Sequence, residues 1–323
     1  MKITLRETAD YLLNNDNFLL LCHVSPDGDT VGSACALARG LISKGKSVRI
    51  LCGDKLTKEY AFMLDGIEMS DSESGHIVAV DVAVPSLLGA EYEGIYGDKV
   101  ELCIDHHFTN SLYAERVYLE PDSASAAEIV YLLLREMQVE ITPIIASCLY
   151  CGVSTDTGCF RFSNTTVRTF EIAAELAKAG ADYYNINQAF FETKTRTYAA
   201  LERLALEGMR FYFDEQCAII TITQEMYART GSDESEVTKL ANLPRQVEGV
   251  KVGVMMRELK DGGFKCSIRT HGEIDASQIA GRLGGGGHAG AAACTINMTK
   301  GKATNLLLKE VAAEIEAYNA QEN

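Results

Sequence analysis

Short apolar runs alternate with longer segments of helical spacing over roughly the first two hundred residues of the chain. The run "NFLLLCHV" predicts a buried strand, and "GSACALARGLISKG" (residues 32–45) predicts the helix that follows it. The runs "SVRILCG", "HIVAVDVA" and "KVELCID" predict further strands, and "SASAAEIVYLLLREM" is the clearest of the later helices. Such alternation is typical of a parallel sheet with helices on both faces, whose functional groups collect at the carboxyl ends of the strands.

The pattern changes after Gly208, where strand-like runs become more frequent. The runs "MRFYFDEQCAIITIT", "VKVGVMMREL" and "GFKCSIRTHG" predict strands, with the turn signal "KDGG" between the last two. A helix is predicted for "DASQIAGRL", a strand for "AACTINM" and a helix for the last residues. The sequence therefore predicts an α/β protein with a first domain over 1–192, a linker helix over 193–208, a smaller α/β domain over 209–323, and an active site in the cleft between the domains.

The composition is that of an ordinary globular protein. Hydrophobic residues make up 47% of the 323 positions and charged residues 23%. No apolar run reaches the ~18 residues that a membrane span needs, and the N-terminal stretch lacks the small-residue cleavage site of a signal peptide. We therefore expect a cytoplasmic protein without a membrane partner.

The ten cysteines are scattered and lie mostly inside apolar runs, which favours reduced core thiols over disulfides. Cys148 and Cys151 have C-x-x-C spacing, but the sequence offers no second pair, and the flanks "PIIASCLYCGV" predict a buried helix. A zinc or redox role for this pair is the less favoured alternative.

The net charge of −15 argues against binding long duplex nucleic acid, which needs a broad basic surface. It leaves room for short nucleotides, because bound divalent cations can reverse the sign of a pocket locally. The charge therefore limits the size of the partner rather than its chemistry.

Acidic and imidazole side chains follow four predicted strand ends. They lie in "CHVSPDGDTVGSA", "AVDVA", "CIDHHFTN" and "GVSTDTGCFRFSNTT" and comprise His23, Asp27, Asp29, Asp81, Asp105, His106, His107 and Asp156. Each aspartate could be a helix cap or a turn residue. Five aspartates converging on one sheet edge would repel each other strongly, however, and these motifs contain Arg161 as their only basic residue. Oxygen ligands with a few imidazoles suit Mn²⁺, Mg²⁺ or Fe²⁺, so we predict a metal site.

The motifs "HVSPDGD", "VDVA", "IDHHFTN" and "STDTGCFRFSNTT", in this order, resemble the four motifs of the DHH phosphoesterase superfamily. The run "GGGGHAGAAAC" resembles the glycine-rich signature of the DHH-associated C-terminal domain. The resemblance extends from about residue 18 to residue 295. In length and domain content the chain is most similar to the group of bifunctional oligoribonucleases (nanoRNases) and 3′-phosphoadenosine 5′-phosphate phosphatases.

The resemblance implies two divalent metal ions, Mn²⁺ in the first place, with Mg²⁺ or Fe²⁺ as alternatives. One ion would be held by His23, Asp27 and Asp81. The other would be held by Asp29, Asp81, His106 and Asp156, with Asp81 bridging the two. His107 would contact the substrate phosphate, and Asp105 would lie behind the histidines and orient them.

The C-terminal domain is expected to select the substrate. The glycine run, Gly284, Gly285, Gly286 and Gly287, lets backbone N–H groups approach an anion, and His288 adds a donor. Arg269 and Arg257 are candidates for a bidentate clamp on a terminal phosphate. The alternatives are a flexible loop for the glycine run, which the helix-compatible "HAGAAA" after it disfavours, and solvated strand faces for the arginines. The related group often reads Gly-His-Lys-Asn-Ala-Ala-Gly here, whereas this chain has Ala289 and Gly290 after the histidine.

We therefore expect a two-metal phosphohydrolase that cleaves short oligoribonucleotides to nucleoside monophosphates and acts on 3′-phosphoadenosine 5′-phosphate. Hydrolysis of cyclic or linear dinucleotides is the alternative within the enzymes. A catalytically silent nucleotide sensor is the alternative of another class, but no motif ligand is missing. The sequence is compatible with a homodimer. His76 and His271 lie outside the motifs and are assigned to structure.

Overall fold

The computed structural model describes residues 1–70, 75–271 and 274–322. It consists of two compact units, Met1–Thr193 and Lys194–Asn323. Among the described helices, none is long and apolar enough to cross a bilayer.

The first unit contains a six-stranded parallel sheet in the order β3-β2-β1-β4-β5-β6. The strands are β1 (Phe18–Cys22), β2 (Val48–Cys52), β3 (Glu68–Met69), β4 (His76–Val80), β5 (Leu102–Asp105) and β6 (Arg116–Leu119). This is the doubly wound order, in which the direction of winding reverses between β1 and β4. Ligands of such sheets bind outside the carboxyl ends of the strands at that point.

Helices cover both faces of this sheet. They are α1 (Leu5–Asn14), α2 (Gly28–Ser43), α3 (Ala61–Leu64), α4 (Ala90–Tyr96), α5 (Ala126–Glu136), α6 (Pro143–Asp156), α7 (Val167–Lys178) and α8 (Tyr183–Asn187). Alternate residues of β1 belong to different cores, with Leu20 on one face and Leu19 and Leu21 on the other. Burial on both faces explains the uninterrupted apolar run that identified this strand.

The second unit contains a mixed six-stranded sheet in the order β11-β12-β10-β9-β8-β7, parallel between β8 and β9 and antiparallel elsewhere. Its strands are β7 (Arg210–Tyr212), β8 (Cys217–Ile222), β9 (Val252–Glu258), β10 (Phe264–Thr270), β11 (Gly286–His288) and β12 (Ala291–Ile296). Its helices are α9 (Arg196–Glu207), α10 (Gln224–Thr230), α11 (Glu234–Val237), α12 (Ala276–Arg282) and α13 (Lys300–Glu322). The helix at the predicted linker, α9, packs with Leu201 against Ile220 and Leu240 of this unit.

Three details of the second unit differ from the sequence prediction. The run over 209–223 forms two strands, because Phe213, Asp214 and Glu215 adopt positive φ and turn the chain between them. The segment "HAGAAA" is not helical, since Ala291–Ile296 pairs with β10 as strand β12. The glycine run ends in the edge strand β11, which the sequence analysis did not predict.

Candidate metal centre

Three neighbouring strands bring functional side chains to one edge of the parallel sheet. His23 directly follows β1, Asp81 directly follows β4, and β5 ends at Asp105 with His106 and His107 after it. Because β1, β4 and β5 are adjacent, these residues meet at the carboxyl edge beside the reversal point.

Asp27 and Asp29 are positioned by the start of α2. The Oδ1 atom of Asp27 accepts the backbone N–H of Asp29 at 2.9 Å and of Thr30 at 3.1 Å. This cap starts the helix at Gly28, four residues before the predicted start at Gly32. Asp29 therefore lies in the first turn, where the helix dipole favours a carboxylate.

The carboxylate of Asp29 is also held by the start of a second helix. Its Oδ2 accepts the N–H of Ala126 at 2.6 Å and its Oδ1 accepts the N–H of Ala127 at 2.8 Å, both in the first turn of α5. The hydroxyl of Ser33 donates to Oδ1 at 3.2 Å. Asp29 is buried, so these donors replace the water that its oxygens lose.

Asp156 was predicted at a strand end, but it is the last residue of helix α6. The apolar run before it is a buried helix that packs closely on α2. A Cβ at Gly32 would lie 2.4 Å from the carbonyl oxygen of Cys148, and one at Gly152 would lie 2.8 Å from Oδ1 of Asp29. Glycine at both positions lets the helices approach, and the approach brings Asp156 to the same site. A carboxylate at a helix C-terminus is disfavoured by the dipole unless a cation neutralises it.

The ligand atoms form three overlapping sets that could each hold a metal ion, and Asp81 belongs to two of them: His23–Asp27–Asp81, Asp81–His106–His107 and Asp29–His106–Asp156. The Nε2 atom of His23 lies 3.7 Å from Oδ1 of Asp27 and 3.5 Å from Oδ2 of Asp81. The Nε2 atom of His106 lies 3.5 Å from Oδ1 of Asp81, and a further set of ligand atoms lies within 4.8 Å of one another on Asp29, His106 and Asp156. Asp81 is thus placed between the two imidazoles.

Backbone carbonyls fix the orientation of both imidazoles. The Nδ1 atom of His23 lies 2.8 Å from the oxygen of Val24, and Nδ1 of His106 lies 3.1 Å from the oxygen of Ser123. A carbonyl accepts only from Nδ1–H, so each neutral ring presents the lone pair of Nε2 to the carboxylates. Ser123 was not a candidate from the sequence, because only its backbone takes part.

Asp105 organises the histidine pair from behind. Its Oδ1 accepts the backbone N–H of His106 at 2.9 Å and lies 2.8 Å from Nδ1 of His107. Its Oδ2 accepts the side-chain amide of Asn110 at 2.6 Å, a contact that the sequence analysis missed. Burial opposes ionisation, but the hydrogen bonds and charge of His107 together with the hydrogen bond from Asn110 outweigh it and lower the pKa of Asp105. The Nδ1 atom of His107 also lies 3.3 Å from Oδ1 of Asp81.

The electrostatics of the ligand groups call for cations. Burial raises the pKa of Asp81 and Asp156 well above the usual range, and the charge of Asp29 adds to both shifts. Burial would lower the pKa of His23, but the carboxylates of Asp27 and Asp81 raise it to about 11. The Oδ1 atom of Asp81 is buried without a hydrogen-bond partner among the described residues. An oxygen-rich set with two imidazoles and an orphaned carboxylate oxygen fits divalent cations.

Asp81 adopts a backbone conformation that is unusual for a residue with a side chain. Its φ is 63°, in the left-handed region, while its N–H still donates to Ile104 of β5 at 2.9 Å. Such strain costs of order 1–3 kcal/mol and clusters at functional sites. The geometry turns the chain at the strand end and presents the carboxylate to both imidazoles.

In the second unit, the sheet brings two of the candidate substrate contacts into one register. Arg269 on β10 and His288 on β11 both pair with Ala291 of the strand between them. A Cβ at Gly285 would lie 2.1 Å from the oxygen of Ala293, so this position needs glycine for close backbone packing. Arg257 behaves differently, because its guanidinium pairs with Glu234.

The two histidines outside the motifs have structural contacts. The Nδ1 atom of His76 lies 3.0 Å from Oε2 of Glu101, and Nε2 of His271 lies 3.1 Å from the oxygen of Arg245. Cys148 and Cys151 are buried on α6 as free thiols.

A doubly wound sheet with carboxylates and imidazoles at its carboxyl edge defines a metal-binding protein of the α/β class. Family models specify the class further. Residues 17–153 match the DHH family, N-terminal domain, and residues 217–317 match the DHHA1 domain. The chain belongs to the DHH family of phosphoesterases, in the form that carries a DHHA1 domain.

Similar proteins are found among characterised sequences and solved structures. The chain is 33% identical over 282 residues to the bifunctional oligoribonuclease and PAP phosphatase NrnA of Thermus thermophilus, covering 85% of this chain and 82% of that one. It is 26% identical over 329 residues to the cyclic-di-AMP phosphodiesterase GdpP of Geobacillus thermodenitrificans, covering 94% and 48%. The crystal structure of an exopolyphosphatase-related protein from Bacteroides fragilis superposes with a TM-score of 0.90 at 22% identity, covering 98% and 97%. That likeness establishes the fold of the chain.

Proposed function

We propose that this protein hydrolyses short oligoribonucleotides to nucleoside monophosphates and removes the 3′-phosphate of 3′-phosphoadenosine 5′-phosphate. The observation that carries the proposal is the pair of ligand groups that share Asp81 at the carboxyl edge of the sheet. The relative with 33% identity is named for both activities, and it supports the choice of substrates.

In this proposal the site holds two divalent ions, and Mn²⁺ is the metal we favour. One ion would be held by His23, Asp27 and Asp81. The other would be held by Asp29, Asp81, His106 and Asp156. Two divalent ions at these residues would supply Lewis-acid stabilisation of phosphate charge and would make a water more acidic for attack on phosphorus.

The protein's own groups orient the phosphate. Because Nδ1 of His107 is held by Asp105, Nε2 is the ring nitrogen left to face a phosphate oxygen. His107 and Asp105 are therefore the catalytic pair of the proposal beside the metal ligands.

The second unit and one loop of the first supply the proposed substrate contacts. Arg269, His288 and the backbone of Gly284–Gly287 would bind the terminal phosphate or its nucleoside. Arg257 is left out, because Glu234 already neutralises its guanidinium. Phe108 is 89% exposed directly after His107, and its ring offers a stacking surface for a base. The net charge of −15 favours short substrates over long ones.

A second candidate is hydrolysis of a cyclic dinucleotide. It is favoured by the 26% identity to a cyclic-di-AMP phosphodiesterase over 94% of this chain. The chemistry at phosphorus is the same, so substrate assays separate the two. A cytoplasmic location and a homodimer remain predictions from the sequence.

The test is hydrolysis of a 5′-labelled RNA series from two to about twenty nucleotides with Mn²⁺, alongside 3′-phosphoadenosine 5′-phosphate and cyclic di-adenylate. Rapid cleavage of dimers to tetramers is expected, and Asp81→Ala should abolish it, whereas Asp98→Asn at an exposed position should not. Intact linear RNA together with rapid loss of the cyclic dinucleotide would replace the substrate assignment with the second candidate.

A further inference from the structure

A charged cluster lies behind the ligand groups, and its centre is Arg168 on α7. One guanidinium nitrogen of Arg168 donates to Oε1 of Glu120 at 2.6 Å. The other donates to the hydroxyl of Ser123 at 2.8 Å and lies 3.4 Å from Oε2 of Glu128. Arg168 therefore ties together three residues of one short stretch of chain, from the end of β6 to the first turn of α5.

This stretch supports only part of the candidate metal centre. Its Ser123 carbonyl fixes Nδ1 of His106, and its Ala126 and Ala127 N–H groups hold both oxygens of Asp29. His106 and Asp29 belong to the same proposed ion. The ligands that belong only to the other ion, His23 and Asp27, are held by different groups. The Nδ1 atom of His23, for example, contacts the carbonyl oxygen of Val24.

Glu128 is the buried carboxylate that the positive charge of Arg168 neutralises. Its side chain is fully buried, and within the described part of the chain its Oε1 has no hydrogen-bond partner. Its Oε2 accepts the N–H of Ala124 at 3.2 Å, one residue beyond Ser123. A buried carboxylate needs a nearby cation, and Arg168 is the cation that reaches it. Without Arg168, Glu128 would pull the stretch toward water and displace the carbonyl of Ser123.

We propose that Arg168 is a positioning residue for one of the two metal ions, the one bound by Asp29, His106 and Asp156, and not for the other. The inference rests on the proposed function, because it assumes the assignment of ligands to two ions. Residues that orient metal ligands typically change metal affinity by about 10–100-fold when they are replaced. The effect of Arg168 should be of this size and confined to one ion.

The experiment measures Mn²⁺ binding to the full chain by calorimetry and by electron paramagnetic resonance, for the wild type, Arg168→Gln and Arg168→Lys. The wild type should bind two ions and show the spin-coupled signal of a Mn²⁺ pair. In Arg168→Gln one site should weaken about tenfold or more while the other stays within about twofold. Arg168→Lys keeps the positive charge beside Glu128 but loses the planar guanidinium that contacts several partners at once. Its Mn²⁺ affinity should therefore lie between those of Arg168→Gln and the wild type.

Arg135→Gln is the matched control, because Arg135 lies on α5 and donates to Tyr131 rather than to the cluster. It should leave both sites unchanged. Activity gives an independent readout, since Arg168→Gln should lose rate at low Mn²⁺ and regain it as Mn²⁺ is raised.

Three outcomes overturn the inference. Unchanged affinity at both sites would reduce Arg168 to a structural ion pair. Equal weakening of both sites would show that Arg168 supports the whole first unit. If Arg168→Gln does not fold, the two sites are compared in Arg168→Lys instead. A wild type that binds fewer than two ions would instead refute the ligand assignment of the proposed function, and the inference would fall with it.

Discussion

Asp81 concentrates the properties of the candidate metal centre in one residue. It is 2% exposed, adopts a left-handed φ of 63°, and lies near both imidazoles. Its Oδ1 has no hydrogen-bond partner in the described ranges. Without a bound cation, burial of this carboxylate therefore carries a desolvation cost that nothing compensates. Binding of cations and stability of the fold should therefore be coupled at this position.

Replacing Asp81 by asparagine should have opposite effects with and without metal. The metal-free variant should be more stable than the metal-free wild type by about 1 kcal/mol, because it no longer buries a repelled charge. Mn²⁺ at about 100 times its dissociation constant should stabilise the wild type by about 2.7 kcal/mol for each ion that binds, and the variant by less than half of the wild-type total. Thermal unfolding with Mn²⁺ and with a chelator measures both. A variant that is less stable without metal would contradict the coupling.

Asn110 should matter for catalysis although it is not a proposed ligand. Asn110→Ala leaves Oδ2 of buried Asp105 without its 2.6 Å donor, which costs about 1–3 kcal/mol of stability and loosens His107. We expect kcat to fall at least tenfold with little change in KM. Asn185→Ala is the control, since Asn185 is exposed and bonds Asp182, and it should change stability by less than about 0.5 kcal/mol. Equal kinetics for the two variants would remove Asn110 from the site.

The acids and histidines of the candidate site were predictable because the identity of these residues alone indicates metal-binding side chains. Asn110 lies in the same quoted motif, but its contact with Asp105 depends on a turn between them that has no periodicity. The carbonyl of Ser123 could not be identified, because a backbone group carries no residue-specific signal. The sequence could not indicate that the guanidinium of Arg257, a candidate phosphate ligand, pairs with Glu234, because only the fold brings the two together.

At the scale of elements, the approach of α2 and α6 determines whether the acids meet. The sequence predicted both helices, but it placed Asp156 at the end of a strand and began α2 at Gly32. Apolar periodicity does not distinguish a short buried strand from the end of a buried helix. The cap by Asp27 extends α2 through residues that read as a turn.

Alanine at Gly32 should separate the two helices. The new Cβ would lie 2.4 Å from the oxygen of Cys148 and 3.2 Å from the nitrogen of Gly152, which are backbone atoms that cannot turn away. We expect a loss of about 2–3 kcal/mol in stability and at least a tenfold loss in Mn²⁺ affinity. The measurements are denaturant unfolding and calorimetric titration.

Gly94→Ala is the matched control for this substitution. Gly94 lies on the exposed helix α4, and a Cβ there would meet nothing within 4 Å. Alanine should therefore stabilise the protein by about 0.5–1 kcal/mol without altering Mn²⁺ binding. If both substitutions changed the stability in the same direction, helix propensity would explain the two effects and the close approach of α2 and α6 would not.

At the scale of the whole molecule, alternation of strands and helices was enough to predict a parallel sheet and a second domain. The lateral order β3-β2-β1-β4-β5-β6 was beyond that pattern, because chain order does not state which strands are neighbours. That order is what sets β1 beside β4 and brings His23 to Asp81. Side-chain chemistry therefore identified the candidate ligands, and only the topology brought them together.

We expect the first unit to bind the metal ions by itself and the second unit to contribute substrate binding. All candidate metal ligands and two buried cores lie within residues 1–193, and the other two cores lie within 194–323. A fragment of residues 1–193 should therefore fold by itself and bind two Mn²⁺ ions with affinities within about threefold of the full chain. It should hydrolyse short RNA at least a hundredfold more slowly, because Arg269 and His288 are absent. Circular dichroism and calorimetry test folding and binding. A folded fragment that does not bind Mn²⁺ would mean that the second unit contributes to the metal centre, and full RNA hydrolysis by the fragment would remove the second unit from substrate binding.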